Sequence, residues 1–344
     1  MLQSPAQQPF APSFRRVVRL PDGAPPVLVV AFHVEEEFDW DAPFDRASTS
    51  VESVAGLRRA HAQLADVGAR PAYMIGHPVA TQPGSVATIR ELLAGGNAEV
   101  GVHLHPWVCP PHSEIVSARN SYPCNLGPEL EATKIERLAA AIEEHVGVRP
   151  RSYLAGRYGI GPHSAGILER LGFEVDLSPA PPFDLREDGG PDFSRTPPDP
   201  YWFGERRELL SIPTTGGYVG WLWRTPRTIF RVLDHRATRW FPLRSLLAKA
   251  GVLERIRLTP EGQRLDDMRR LTEALRARGV QVFSVSVHSP STVPGHTPYV
   301  RTEAELETLL ADLGGYCRWF LEELGGIAQT PLELKRSLES APGA

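Results

Sequence analysis

The sequence predicts an α/β fold in which parallel strands alternate with helices, and three observations support that prediction. Short runs such as residues 27–32 are apolar at every position, as are strands of a parallel sheet that are buried on both faces. Between these runs lie segments with the apolar spacing of helices, most of them closed by a glycine. Polar residues that can carry chemistry come directly after several strands, at the end where β/α barrels hold their active sites.

Capping residues and glycines give the boundaries of each element in chain order. We expect strands at residues 27–32, 70–75, 98–102, 152–155, 173–176, 209–212 and 280–287. We expect helices at residues 51–67, 85–93, 128–146, 162–171, 260–278 and 302–324. Ser50 and Thr259 are expected to cap the first and fifth helices, and Thr302 to form a capping box with Glu305 in the last. The loop at 106–126 is long, and loops of that length are usually functional or disordered.

The composition excludes several classes of protein. The chain has 344 residues, of which 42% are hydrophobic and 23% are charged, as in soluble globular proteins. A net charge of -4 argues against a dedicated nucleic-acid binder. The first residues contain neither the apolar core of a signal peptide nor a membrane span. The sequence therefore predicts a cytoplasmic protein without stable membrane insertion.

The expected organisation is a single barrel-sized domain, which suits the length of the chain. We expect residues 1–23 to form a flexible amino-terminal arm and residues 331–344 to form a C-terminal tail. The domain between them, residues 24–330, is expected to carry insertions at about 178–207 and 219–258, where the regular alternation of strands and helices breaks down.

Two histidines, His103 and His105, follow the third predicted strand. Because side chains alternate along an extended chain, both imidazoles point to the same side and are able to share one metal ion. Imidazole binds zinc, iron, nickel and copper. The alternative is a pair of hydrogen-bonded loop histidines that bind nothing, because an H-x-H spacing is common.

Further candidate residues follow other strands. His33 and Glu35 come after the first strand, on the same side of the chain, and Arg157 comes after the fourth. His288 ends the last strand, and taken alone it is more often a satisfied strand-end histidine. The acids that follow the first strand are, as a run, more often a solvated face: Glu36, Glu37 and Asp39.

These motifs, in this order, resemble the polysaccharide deacetylases of the NodB-homology group (carbohydrate esterase family 4), and especially the bacterial WalW-type subgroup. The resemblance covers roughly residues 27–324. It implies a distorted (β/α)7 barrel that binds one divalent metal ion, usually zinc. It also implies a hydrolase that removes acetyl groups from N-acetylated sugars, although some relatives cleave other amides.

The resemblance implies a ligand set for the metal. Glu35 falls on the family's metal carboxylate, and His103 and His105 fill its histidine pair. Many relatives have the second histidine four residues after the first, where this chain has Trp107, so His105 is the substitute. Three protein ligands leave a position open for water, as a catalytic metal site requires.

The resemblance also assigns catalytic roles. His288 matches the general acid that protonates the departing amine, and Arg157 matches the arginine that orients the base. His33 stands where the family has its base aspartate, which leaves three readings open. His33 is itself the general base, or it is an additional metal ligand, or the base is lost and the protein is an impaired glycan- or metal-binding barrel. Glu37 or Asp39 could replace the base if the loop folds back.

The expected partner is an acetylated glycan or sugar precursor, with a small non-sugar amide as the alternative. Aromatic residues in the insertions could bind the faces of sugar rings, although core anchoring is the commoner role of any one tryptophan. They are Tyr201, Trp202, Phe203, Trp221, Trp223 and Trp240. The arginines between Arg224 and Arg257 could meet an anionic glycan or lipid head groups, but a solvated face is the commoner role of such a stretch.

Overall fold

The apolar run that starts at Val27 forms a strand whose eight residues are all buried. The structure is a computed structural model, and it describes residues 16–223 and 251–340. Its strands are β1 (Arg16–Val17), β2 (Val27–Val34), β3 (Pro71–Ile75), β4 (Glu99–Leu104), β5 (Ser152–Ala155), β6 (Val175–Asp176), β7 (Tyr201–Phe203), β8 (Leu209–Ser211), β9 (Gly216–Val219), β10 (Glu254–Arg257), β11 (Val282–His288) and β12 (Ile327–Ala328). Its helices are α1 (Leu57–Asp66), α2 (His77–Thr81), α3 (Pro83–Leu93), α4 (Pro128–Val146), α5 (Ser164–Leu171), α6 (Leu265–Arg276), α7 (Glu303–Arg318) and α8 (Pro331–Glu339).

The main sheet is 10-stranded and curls into a half-barrel. Strands β11, β2, β3, β4, β5, β6 and β8 lie side by side and parallel, while β7 and β1 extend the β8 edge antiparallel. Isolated backbone hydrogen bonds bridge the open side. The Leu258 amide donates to the Thr215 carbonyl at 2.8 Å, and the Ser286 amide donates to the Leu258 carbonyl at 3.2 Å. This mixed α/β architecture confirms the predicted distorted barrel.

Some predicted element boundaries agree with the structure, and others are displaced by a few residues. Helix α4 and strand β5 have the predicted bounds, and the Thr302–Glu305 capping box is present. Ser50 does not cap the first helix, which begins at Leu57 after a 3-10 turn over Glu52–Gly56. The fifth predicted helix begins at Leu265 instead of residue 260, because the residues after Thr259 turn into the barrel mouth.

The described parts of the expected arm and tail both contact the main sheet. Residues 1–15 of the arm lie outside the described residues. Arg16–Val17 pairs antiparallel with β7, so the rest of the arm is held by a strand edge. Pro331–Glu339 is a helix in which Leu334 and Leu338, four residues apart, form a buried apolar stripe.

The two insertions contain regular structure. The first includes the buried strand β7. The second begins and ends in an antiparallel ribbon in which Glu254 faces Val219 and Arg257 faces Gly216. Residues 224–250, with Trp240, lie outside the described part of the chain. At its edge Trp221 is 71% exposed, whereas the Trp223 ring lies 4.0 Å below the Arg278 guanidinium.

The long loop after β4 is ordered by a buried lysine. Lys134, on α4, donates to the carbonyls of Pro106 (2.9 Å), Cys109 and Pro111 (2.8 Å). Its ammonium also lies 3.0 Å from the Glu114 carboxylate.

Among the described helices, none is long and apolar enough to cross a bilayer.

Candidate metal centre and pocket

Three predicted residues meet at the carboxyl ends of β2 and β4. Glu35 comes directly after β2, His103 lies in β4, and His105 follows it. The His103 Nε2 atom is 3.2 Å from Glu35 Oε2, and the His105 Nε2 atom is 3.4 Å from the same oxygen. All three side chains are buried, and one ligand atom from each lies within 4.8 Å of the others. The H-x-H pair and the carboxylate therefore converge on one point.

The outer nitrogens of the two histidines are held by acceptors. His103 Nδ1 lies 3.2 Å from the Leu154 carbonyl oxygen, and His105 Nδ1 lies 2.8 Å from Glu36 Oε1. A carbonyl oxygen only accepts, so the Nδ1 of His103 carries its proton. In the neutral ring, the lone pair of Nε2 then faces a carboxylate oxygen at 3.2 Å, and two such atoms repel unless a cation lies between them. Metal-binding histidines are held by their outer nitrogens in the same way. The donor set thus fits a divalent metal ion.

A proton is a poor substitute for that cation at His103. Burial is the largest effect on this imidazole, and together with the neighbouring His105 it lowers the pKa of His103 to about 4. Burial acts the same way on His105, but the Glu36 carboxylate outweighs it and raises the pKa of that ring. Burial works to raise the pKa of Glu35, yet the surrounding histidines, His288 first, bring it below its ordinary value. The carboxylate is therefore ionised, and His103 is neutral near pH 7.

His33 is buried beside this group. Its ring centre is 5.1 Å from that of His103 and 4.5 Å from that of His288, which faces it across the parallel β2–β11 pair. Burial, reinforced by the charges of His288 and other neighbours, holds the pKa of His33 well below its usual value. His33 is therefore a neutral imidazole, a form that either accepts a proton or binds a metal. Together with Glu35 and His288 it forms a second cluster of ligand atoms within 4.8 Å.

His288 is paired with a carboxylate that the sequence did not reveal. Glu261 Oε2 lies 2.7 Å from His288 Nδ1, while Glu261 Oε1 accepts from the His288 amide (3.1 Å) and the Ser291 hydroxyl (2.5 Å). Burial opposes the charge on His288, but Glu261 outweighs it and raises the pKa of the imidazole to about 9. Glu261 was expected in the first turn of a helix. The Thr259 hydroxyl instead accepts from the Glu261 amide at 3.2 Å, in a turn before that helix.

Arg157 lines the same pocket, but its hydrogen bond, ion pair and ring contact are with residues other than His33. It donates to the Ser121 hydroxyl at 2.8 Å and lies 3.5 Å from the Asp188 carboxylate, with its guanidinium 4.2 Å from the Tyr122 ring centre. Its φ of 52° is in the left-handed region, as is that of the next residue, Tyr158, at 62°. Such strain is typical of functional sites. The expected orientation of His33 by Arg157 stays a prediction.

The acids after Glu35 do not form one solvated face. Glu36 is fully buried against His105, which corrects that expectation, and its Oε2 atom has no hydrogen-bond partner. Glu37 Oε1 accepts from the Ser53 amide at 2.8 Å, so it is engaged at the start of a 3-10 turn. Asp39 accepts from the Asp41 amide in an exposed turn. Neither Glu37 nor Asp39 lines the pocket, so neither occupies the base position.

The cluster opens into a cavity of about 550 Å³. The Trp107 ring stacks on His105 at 4.3 Å, and the Trp40 ring lies 5.3 Å from that of His288. The cavity is lined by aromatic rings and arginines as well as by the histidine cluster. They are Phe38, Trp40, Phe44, Tyr122, Tyr158, Phe183, Tyr299, Arg157, Arg255 and Arg257. The size is that of a site for a small molecule or one or two sugar units.

Solved structures with similar folds exist. One is a protein from Mycobacterium smegmatis that is provisionally assigned as a polysaccharide deacetylase, with a TM-score of 0.53, 16% identity, and coverage of 94% of this chain and 93% of that chain. The Puue allantoinase has a TM-score of 0.55, 15% identity and coverage of 94% of both chains. A 4-alpha-glucanotransferase from Thermococcus litoralis has a TM-score of 0.51 and 11% identity, and the match covers 91% of this chain and 40% of that chain.

No protein-family model matches the chain, and no curated protein matches it. At the identities of the solved structures, the similarity establishes the fold alone. The chain thus has the mixed α/β fold with a curled half-barrel sheet that also occurs in structures described as a polysaccharide deacetylase and an allantoinase.

Proposed function

We propose that the protein is a metal-dependent hydrolase that removes the acetyl group from an N-acetylated sugar. One observation carries the proposal. The Glu35 carboxylate lies 3.2 Å from Nε2 of His103 and 3.4 Å from Nε2 of His105, and the outer nitrogens of both rings are held by acceptors. The fold shared with a polysaccharide deacetylase supports the assignment, and the WalW-type subgroup stays a prediction.

Glu35, His103 and His105 would hold one divalent ion, and zinc suits a set of two imidazoles and one carboxylate. When bound, the ion supplies a Lewis acid for the acetyl carbonyl and lowers the pKa of water toward ~7. The protein's own contribution is to fix these ligands in a buried place that opens into the pocket. Three protein ligands leave room for water.

Two imidazoles beside Glu35, with ring centres 4.5 Å apart, would move the protons. His33 is held neutral by burial and is suited to accept a proton from the attacking water. His288 is held protonated by Glu261, 2.7 Å away, and is suited to give a proton to the departing amine. Positioned proton transfer of this kind is typically worth about 10²–10⁴ in rate. The aromatic rings of the cavity would bind the apolar faces of the sugar.

The first test measures metal content and acetate release together. Purified protein is supplied with zinc, dialysed and analysed for metal, then incubated with N-acetylated sugars and oligosaccharides. We expect about one ion per chain and acetate release, both lost when His103 and His105 are changed to alanine. His163→Ala, an exposed histidine before α5, is the matched control and keeps both. Protein that binds no zinc would sink the proposal.

The His33 position distinguishes an active enzyme from an impaired barrel. His33→Asp restores the carboxylate of the resembled family. If acetate release falls at least tenfold, His33 is the working base. If acetate release appears or rises at least tenfold, the native chain is an impaired glycan- or metal-binding barrel.

A second candidate function is hydrolysis of a small non-sugar amide. It is favoured by the fold shared with an allantoinase and by a cavity of about 550 Å³, which suffices for a small molecule. Comparing turnover of N-acetylated sugars with that of small amides and cyclic ureides separates the two candidates. If the substrate is a sugar, activity should fall when Trp40, at the pocket mouth, is changed to alanine. The indole ring would then no longer contact the sugar.

A further inference from the structure

Besides Arg157, a second arginine, Arg257, lines the cavity, and it comes from the two-stranded ribbon of β9 and β10. It ends β10, where the ribbon partner opposite is Gly216 and offers no side chain. Its guanidinium lies 4.3 Å from the Phe183 ring centre and 5.2 Å from the Tyr158 ring centre, and it donates to the Tyr158 hydroxyl at 3.4 Å. The half-buried side chain is therefore positioned by two aromatic rings at the wall of the pocket.

The carboxylates of the pocket are engaged elsewhere. Asp188 pairs with Arg157, and Glu261 pairs with His288. The remaining carboxylate is that of the candidate metal centre. Within the described ranges, no ion pair joins Arg257 to a carboxylate, and its polar contact is the tyrosine hydroxyl. Arginines this deep in a protein are usually paired, because an unpaired buried charge is costly.

Arg257 lies one aromatic ring away from the candidate reaction centre. The Tyr158 ring contacts the guanidinium on one side and lies 5.8 Å from the His33 ring centre on the other. Arg255, two residues earlier and hence on the same face of β10, lies 4.7 Å from the Phe183 ring. Two guanidiniums thus lie over the same Phe183 ring at the pocket wall.

We propose that Arg257 forms an oxyanion subsite, so that the substrate is an N-acetylated sugar bearing a carboxylate or phosphate next to the scissile amide. A guanidinium presents paired N–H donors that match either group. This inference takes from the proposed function that the substrate is a sugar and that the bond cleaved is its acetamide. The oxyanion itself follows from Arg257 and its surroundings. The overall charge of the chain does not favour anions, because its net charge is -4.

Calorimetry on the zinc-loaded protein tests the subsite without turnover. The probes are N-acetylglucosamine, its 1-phosphate, whose phosphate is next to the acetamido group, and N-acetylmuramic acid, which carries a carboxylate on the other neighbouring position. We expect at least one of the two anions to bind about ten- to hundredfold tighter than the neutral sugar, as a charge-assisted hydrogen bond predicts. Arg257→Gln should remove that difference, and the affinity of the neutral sugar should fall by much less than that of the anions. Arg90→Gln, an exposed arginine on α3, is the matched control and keeps it.

Each outcome decides the inference. The phosphate and carboxylate probes show which oxyanion is preferred. An anion preference that survives in Arg257→Gln, or no binding of either anion at millimolar concentration, overturns the subsite. Arg257→Lys, with an unchanged circular dichroism spectrum, keeps the charge but loses the fork and should retain part of the preference. If the anion preference is found but no acetate is ever released, the proposed function fails while the subsite stands.

Discussion

Glu36 is the residue whose replacement tests the metal centre most directly. Its carboxylate is fully buried and lies 2.8 Å from His105 Nδ1, so it fixes the orientation of the ring whose Nε2 atom faces Glu35. Glu36→Gln keeps the shape and an acceptor oxygen but removes the charge. The hydrogen bond changes from charge-assisted, worth roughly 1.5–3 kcal/mol, to neutral, worth roughly 0.5–1.5 kcal/mol. The imidazole also becomes a weaker donor to a metal.

We expect zinc affinity to fall about ten- to hundredfold in this variant, which is the usual effect of losing such a partner. The measurement is competition with a chromophoric chelator at pH 7.5. The unloaded protein should lose no more than about 1–1.5 kcal/mol of stability, which is the difference between the two kinds of hydrogen bond, and should stay folded. A lower affinity would then reflect the metal centre and not the fold.

Glu37→Gln is the matched control because the two carboxylates are adjacent in sequence. Glu37 accepts from the Ser53 amide and hydroxyl and does not line the pocket. We expect its loss to lower stability slightly and to leave zinc affinity within twofold. Equal affinity in Glu36→Gln and the parent would refute the reasoning, since His105 would then bind no metal through Nε2.

Three further predictions test other parts of the structure. Gly156→Ala should lower zinc affinity about tenfold in the chelator assay, because its Cβ would lie 2.3 Å from the Leu104 carbonyl oxygen and 2.6 Å from His105 Cδ2; Gly166→Ala, which meets nothing within 4 Å, is the control. Burial raises the pKa of Glu131 to about 7, so the folded state loses up to about 3 kcal/mol between pH 4.5 and 7, as the unfolded chain ionises first. Urea unfolding should show that the stability gained by Glu131→Gln grows over this interval and is constant above it; a gain that does not vary with pH would contradict the assignment. Lys134→Met should destabilise the fold by about 3–5 kcal/mol, because Glu114 loses its partner, and Lys134→Met with Glu114→Gln should recover part of that loss in urea unfolding.

The sequence predicted the fold and much of the cluster because both follow from local patterns. A run apolar at every position, as in residues 27–32 of β2, indicates a strand buried on both faces, and parallel strands bring their carboxyl ends to one edge. Three candidates from the ends of two strands, Glu35, His103 and His105, therefore bring their ligand atoms within 4.8 Å of one another. Alternation along the strand was sufficient to place both histidines on one side.

The partners of those residues were not predictable from local patterns. Glu36 sits in an acidic run that resembles a solvated face, and nothing in the run reveals that His105 from another strand covers it. Glu261 follows a threonine and a proline, which together look like the start of a helix. Only the tertiary fold shows that the carboxylate turns toward His288 instead. Local signals identify the residues on the strands, while their orienting partners depend on contacts between distant segments.

His33 and Arg257 together make the end of the cavity near Glu35 more favourable for an anion than an aspartate at position 33 would. An aspartate at position 33 would place a second negative charge beside Glu35 and near Arg257. The neutral imidazole adds no negative charge to that of Glu35, which a divalent ion would exceed, so this end of the cavity would become more positive. Interactions between charges are strong in such a partly dry site. His33→Asp should therefore weaken the preference for anionic sugars as well as change turnover, and a variant that changes turnover alone would separate the two residues' roles.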